Sequence, residues 1–252
     1  MAFNVGPGRS APLRYRFCSN HMSEHSTHDH FPSVQLVLGG LLFVGMTLTL
    51  AALAEHVMTG RPLTLVDQQL SAWLARNRSP SLTTFFIVVT SLGSTAAGVI
   101  IATVLGIYLL LRKRKYWFVA TVLTIAGGAL LNRFLKLAFQ RARPELDDPI
   151  TTFAGYSFPS GHTMSATVVF GTLALFMFTR KENFRARLVV MGLALLVIVM
   201  VAFSRIYLGA HYLTDVVAAI AEGVAWISLS FTIVSVWRRS AMRRVNKNKN
   251  AG

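Results

Sequence analysis

His211 and Asp215 are four residues apart, the spacing at which two side chains meet on one helix face. A carboxylate so placed can take the proton of one imidazole nitrogen and leave the other unprotonated and aimed, the logic of an oriented nucleophile. A second histidine, His162, ends the run Phe158-Pro159-Ser160-Gly161-His162 just ahead of an apolar stretch. Ser160 suits an N-cap and Gly161 lets a ligand approach the backbone, so the amides at this helix start form an anion site. His162 at its rim can give or accept a proton near neutral pH. Lys136 and Arg143 are seven apart, which predicts one helix face two turns long, ended by Pro144. An ammonium and a bidentate guanidinium suit a phosphoryl group. Arg205 adds a cation six residues before His211. Taken singly, two of these blocks have bland readings: the Lys136–Arg143 cluster as a headgroup contact, and Pro-Ser-Gly at 159–161 as loop chemistry.

The elements that must carry these blocks follow from charge scarcity. Of 252 residues, 53% are hydrophobic and 14% charged, against roughly 25% charged in an ordinary soluble domain. Residues 31–54, 79–111, 116–132, 163–179 and 188–204 contain no charge at all. At about 1.5 Å per residue such runs are bilayer-sized helices, which excludes a disordered chain and a water-soluble globule. With residues 212–237 they predict an all-α fold, a polytopic membrane bundle of six transmembrane helices. The organisation expected is a polar tail over residues 1–32, a six-span domain over 33–237 and a basic tail over 238–252.

Six spans let the cations be assigned to sides. One side holds 17 of the 25 Lys and Arg, in the N-terminal tail, residues 112–115, 180–187 and 238–249. The other holds eight, with seven of the ten acids if Glu222 is counted there. The positive-inside bias makes both termini cytoplasmic. The net charge of +15 is then mostly a topology signal, and nucleic acid is excluded as the natural partner. The same topology puts all three chemical blocks on the non-cytoplasmic face.

Smaller features complete the reading. A single cysteine, Cys18, rules out a disulfide framework and a thiolate metal site. Four of the seven histidines lie between His21 and His30, a metal-binding tract or a solvated tail, and Met22 is an alternative start. Val66, Leu70, Trp73 and Leu74 share one helical face, and Thr64 with Asp67 has capping-box character. An interfacial helix is expected there, bordering lipid access to the site or serving as a structural lid. Glu222 reads as polar packing inside a span, its partner unnamed.

Lys-x6-Arg-Pro at 136–144, Pro-Ser-Gly-His at 159–162 and Ser-Arg-x5-His-x3-Asp at 204–215 together resemble the three-part signature of the type 2 phosphatidic acid phosphatase superfamily, lipid phosphatases that share a pocket with vanadium haloperoxidases. Arg141 is an additional cation that the signature does not require. The resemblance implies that His211 attacks phosphorus to form a phosphohistidine, with Asp215 fixing its tautomer. His162 would protonate the leaving group and then activate water. Lys136, Arg143, Arg205 and the Ser160 and Gly161 amides would hold the phosphoryl oxygens, the electrostatic contribution expected to dominate. No metal and no other cofactor is implied. The expected substrate is a membrane lipid phosphate or diphosphate, with undecaprenyl diphosphate narrowly preferred for the family's frequent role in bacterial envelope lipid recycling. Phosphatidate or phosphatidylglycerol phosphate, lipid-to-lipid phosphotransfer and a non-catalytic lipid-phosphate binder or transporter are the alternatives.

Overall fold

Five helices long and apolar enough to cross a membrane, and a sixth assembled from two bent pieces, account for most of the chain. The computed structural model describes residues 31–60, 62–146, 154–180 and 183–249. Cys18, the His21–His30 tract, Met22, the N-terminal cations and nearly all of the tail over residues 1–32 lie outside the described residues. The described elements are all helical: α1 (Phe31–Thr59), α2 (Leu63–Arg76), α3 (Pro80–Ser91), α4 (Thr95–Leu111), α5 (Lys115–Phe139), α6 (Gly161–Arg180), α7 (Phe184–Tyr207) and α8 (Leu213–Lys249).

The uncharged run over residues 79–111 is not one straight helix. α3 and α4 meet at a 41° bend. Each half has its own N-cap: Ser79 accepts from the Leu82 amide, with Pro80 behind it, and Ser94 accepts from the Ala97 amide at 3.2 Å. Gly93 sits at the bend, where a Cβ would come within 2.6 Å of the His162 carbonyl oxygen. The break thus lets span two clear the backbone at the start of α6.

α6 is the central helix, buried along Thr163, Met164, Ala166, Thr167, Val168 and Val169, and it packs on α4, α5, α7 and α8. Small residues permit the contact: a Cβ at Gly223 would meet Thr167 at 2.5 Å, and one at Gly128 would meet Met164 at 2.9 Å. Leucines and valines across the outer faces of α1, α4 and α7 stay exposed, as a lipid-facing surface requires. The basic residues after Trp237 continue α8 as far as Lys249 and form no separate element.

The helix expected here is α2, and its apolar face is divided: Leu70 and Leu74 pack inward, beside polar residues, while Val66 and Trp73 do not. Val66 and Trp73 are 47% and 56% exposed, while Asp67, Ser71 and Leu74 are buried. Pro62 occupies the N-cap with no side-chain bond, so Thr64 and Asp67 form no capping box. Asp67 is drawn inward by partners on other elements.

Candidate active site

Each of the three blocks folds into a short irregular turn at the end of a helix. α5 stops at Phe139 because Gln140 adopts the left-handed conformation (φ 47°) and its amide donates back to the Lys136 carbonyl at 3.0 Å. Lys136 and Arg143 therefore do not share a helix face as their spacing predicts. They converge through the 154–157 segment instead. Lys136 Nζ donates to the carbonyls of Tyr156 (2.9 Å) and Ser157 (3.3 Å). Arg143 donates to those of Gly155 (2.9 Å), Ala154 (3.1 Å) and Ala210 (2.7 Å).

Phe158 and Ser160 are fully buried, on either side of Pro159, which follows a cis peptide bond. The Ser160 amide, expected to face the phosphate, donates to the Asp215 carbonyl at 3.1 Å and so ties the second block to the third. Its hydroxyl accepts from Thr163, not from a helix amide. Gly161 opens α6, where the first N–H groups have no intrahelical acceptor, and His162 follows, half-buried.

Arg205 lies in the last turn of α7, buried, with Nη1 donating to Thr90 Oγ1 at 2.9 Å. The chain then doubles back, so that the Ala210 and His211 amides both donate to the Arg205 carbonyl. Gly209 makes this possible: its φ is +72°, and a Cβ there would lie 2.4 Å from Leu146 Cδ1. His211 thus lies in the turn before α8, not on the helix. Its Nδ1 is 3.4 Å from Asp215 Oδ2 and its Nε2 is 3.4 Å from Arg143 Nη1. Asp215, in the first turn of α8, accepts from the Tyr212 amide (2.9 Å), from the Ser157 hydroxyl and from Arg141 (2.6 Å). The Tyr212 bond is the backward limb of a capping box, which makes Asp215 both helix cap and histidine partner.

Burial pushes the His211 imidazole down to about 3, against the pull of Asp215 in the other direction. Burial also lowers Arg143 from its ordinary value, opposed by Asp215. The charges of Arg205, Arg143 and Lys136 all act on His162, and those of Lys136 and Arg205 on His211. A neutral, oriented imidazole, a second histidine and three cations at one end of the bundle can receive a phosphoryl group, bond to it and release it. Among the described residues, no group of three or more His, Cys, Asp or Glu is placed to hold a metal ion.

Several contacts of this region were not read from the sequence. Asp67 on α2, Arg141, Ser157 and Thr90 all hold site residues, and Glu222 finds its partner in Asn132, whose Nδ2 donates at 2.9 Å. Arg141 carried a signal as a cation beyond the motif; Asp67 carried none, because its capping-box spacing gave it a sufficient local explanation.

The chain is similar to known proteins. A family model described as the PAP2 superfamily matches residues 115–239. Phosphatidylglycerophosphatase B of Bacillus subtilis is 28% identical over 159 residues, 63% of this chain and 78% of that protein. Decaprenylphosphoryl-5-phosphoribose phosphatase of Mycobacterium tuberculosis is 32% identical over 136 residues, 52% of this chain and 68% of that protein. The crystal structure of a transmembrane PAP2-type phosphatidylglycerolphosphate phosphatase from Bacillus subtilis superposes with a TM-score of 0.70 at 25% identity, covering 79% of this chain and 97% of that one. The six-span bundle, the three converging turns and these likenesses agree, and the chain is a membrane-embedded phosphatase of the PAP2 superfamily.

Proposed function

We propose that this protein hydrolyses a lipid phosphate or diphosphate through a phosphohistidine on His211. The observation that carries the reading is the placement of His211 between Asp215 at Nδ1 and Arg143 at Nε2. With the Nδ1 proton turned to the carboxylate, the Nε2 lone pair attacks phosphorus as the bond to the leaving oxygen breaks. His162 gives that oxygen a proton, then takes one from the water that cleaves the N–P bond and frees inorganic phosphate. Lys136, Arg143, Arg205 and the Gly161 amide hold the oxygens as charge shifts. Fixed cations supply the stabilisation that a metal ion gives elsewhere, so turnover is expected to persist in EDTA.

For the lipid, the Bacillus subtilis relative, named for phosphatidylglycerophosphate, supports a diacyl substrate. The Mycobacterium tuberculosis relative, named for a decaprenylphosphoryl sugar phosphate, supports a polyprenyl one, the class to which undecaprenyl diphosphate belongs. The positive-inside count supports a site on the non-cytoplasmic face of a bacterial-type inner membrane, with both termini cytoplasmic. The test is phosphate release by purified protein, in EDTA, from phosphatidylglycerol phosphate, phosphatidate and undecaprenyl diphosphate. Turnover of at least one is expected; no release from any of them sinks the reading. A lipid acceptor added with labelled substrate separates hydrolysis from transfer.

A further inference from the structure

Behind Asp215, on the side away from His211, lies a buried cluster of charge. Arg141 Nη1 donates to Asp215 Oδ1 at 2.6 Å and to Thr214 Oγ1 at 2.8 Å, while Nη2 donates to Asp67 Oδ2 at 2.8 Å. Asp67 also accepts from the Thr214 amide at 3.0 Å and from the Thr214 hydroxyl. The guanidinium carbon sits 4.2 Å from the centre of the Tyr212 ring. Asp67 and Asp215 are essentially inaccessible, and Arg141 is 9% exposed.

Capping α8 does not explain this cluster. The Asp67 bond to the Thr214 amide and the Asp215 bond to the Tyr212 amide already serve the first turn of that helix. Burying a guanidinium between two carboxylates adds a large desolvation cost to a job already done. What Arg141 adds is a fixed orientation. The Tyr212 amide and the Ser157 hydroxyl hold Oδ2, the oxygen that faces His211 Nδ1, and Arg141 pins the opposite oxygen, Oδ1, so that its planar guanidinium sets the plane of the carboxylate. Asp67 in turn holds the far edge of Arg141 from α2, an element that carries no other site residue.

We propose that Asp67 and Arg141 are positioning residues for catalysis: Asp67 anchors Arg141, and Arg141 holds Asp215 so that His211 is aimed at phosphorus. The inference rests on His211 being the nucleophile. It parallels the way an outer partner orients the direct ligands of a metal site.

The test is a double-mutant cycle in the purified full chain, reading kcat, KM and the inhibition constant of inorganic phosphate. Arg141→Gln is expected to lower kcat about thirtyfold or more, with KM and phosphate inhibition within about threefold. Arg141→Lys restores part of the loss, since one ammonium can meet one carboxylate but not bridge two. Asp67→Asn lowers kcat about tenfold alone and less than about twofold in the Arg141→Gln background, because it acts through Arg141. Should Arg141→Gln not fold, the same cycle is run on Arg141→Lys. Values of kcat within twofold of the parent, independent losses in the double variant, or a parallel collapse of KM and phosphate inhibition would each overturn the proposal. His211→Ala separates the two readings. If it is inactive while Asp67→Asn and Arg141→Gln are fully active, only the positioning role falls; if it is active, the phosphohistidine falls and the cluster is structural.

Discussion

His211 is 2% exposed, and that enclosure governs its protonation more than its partner does. The folded value of about 3 lies below the ordinary 6.5, so between those two limits the unfolded chain binds a proton that the native chain does not. Stability is therefore full above about pH 6.5 and declines as pH falls through that window toward about 3. Thermal unfolding from pH 7 to 4 should show a steeper fall in Tm for the parent than for His211→Gln, and parallel slopes would contradict the burial argument. On the proposed phosphohistidine route, His211→Ala should lose about a thousandfold or more in kcat, because nucleophile and orienter act as a unit. Residue types were legible at this scale because His, Asp, Lys and Arg in short ordered blocks have few other uses beside apolar spans. Their convergence was less so. Lys136 and Arg143 meet across a left-handed Gln140 that their sevenfold spacing conceals, and the Ser160 amide turns to a carbonyl 55 residues away in the chain.

Helix lengths were legible for a different reason: an uncharged run of bilayer length admits few alternatives. The bend between α3 and α4 was not, since residues 92–94 carry neither charge nor proline; it falls at Gly93-Ser94, where Ser94 caps α4 and a Cβ at Gly93 would lie 2.6 Å from the His162 carbonyl oxygen. This contact couples span two to the block that carries the second histidine. Gly93→Ala should therefore destabilise by about 1–3 kcal/mol, as overpacking does, and lower kcat by shifting the start of α6. Gly40→Ala on α1 has nothing within 4 Å of the added carbon and should be neutral or stabilising by up to about 1 kcal/mol. Tm and kcat of the two variants measure the difference; equal effects would mean that the close approach at Gly93 carries no strain. Gly209→Ala combines a positive φ with a clash at Leu146, and its loss of activity should exceed its loss of Tm, since the turn it distorts carries His211.

Across the whole molecule, the distribution of charge ties chemistry to topology. Lys136, Arg143 and Arg205 stand at the end of the bundle opposite to Arg112, Lys113, Arg114 and Lys115 and to the basic end of α8. A lipid-phosphate site needs cations, and positive-inside sorting disfavours them on the far side. In the topology proposed above, both demands are met when the site cations are few and engaged. Arg143 is tied to three carbonyls, Arg205 to Thr90 and Lys136 to two carbonyls, so each is fixed by the fold before a phosphate arrives. The exposed cations over residues 112–115 at the other end face outward, where they can meet anionic headgroups and set orientation. This predicts a definite labelling pattern in intact cells with Cys18 replaced by Ser. A cysteine at Asn77, exposed between α2 and α3, should react with a membrane-impermeant maleimide, whereas one at Arg112, exposed between α4 and α5, should react only after the membrane is opened. The reverse pattern would put the phosphatase site in the cytoplasm and remove the positive-inside argument from this protein.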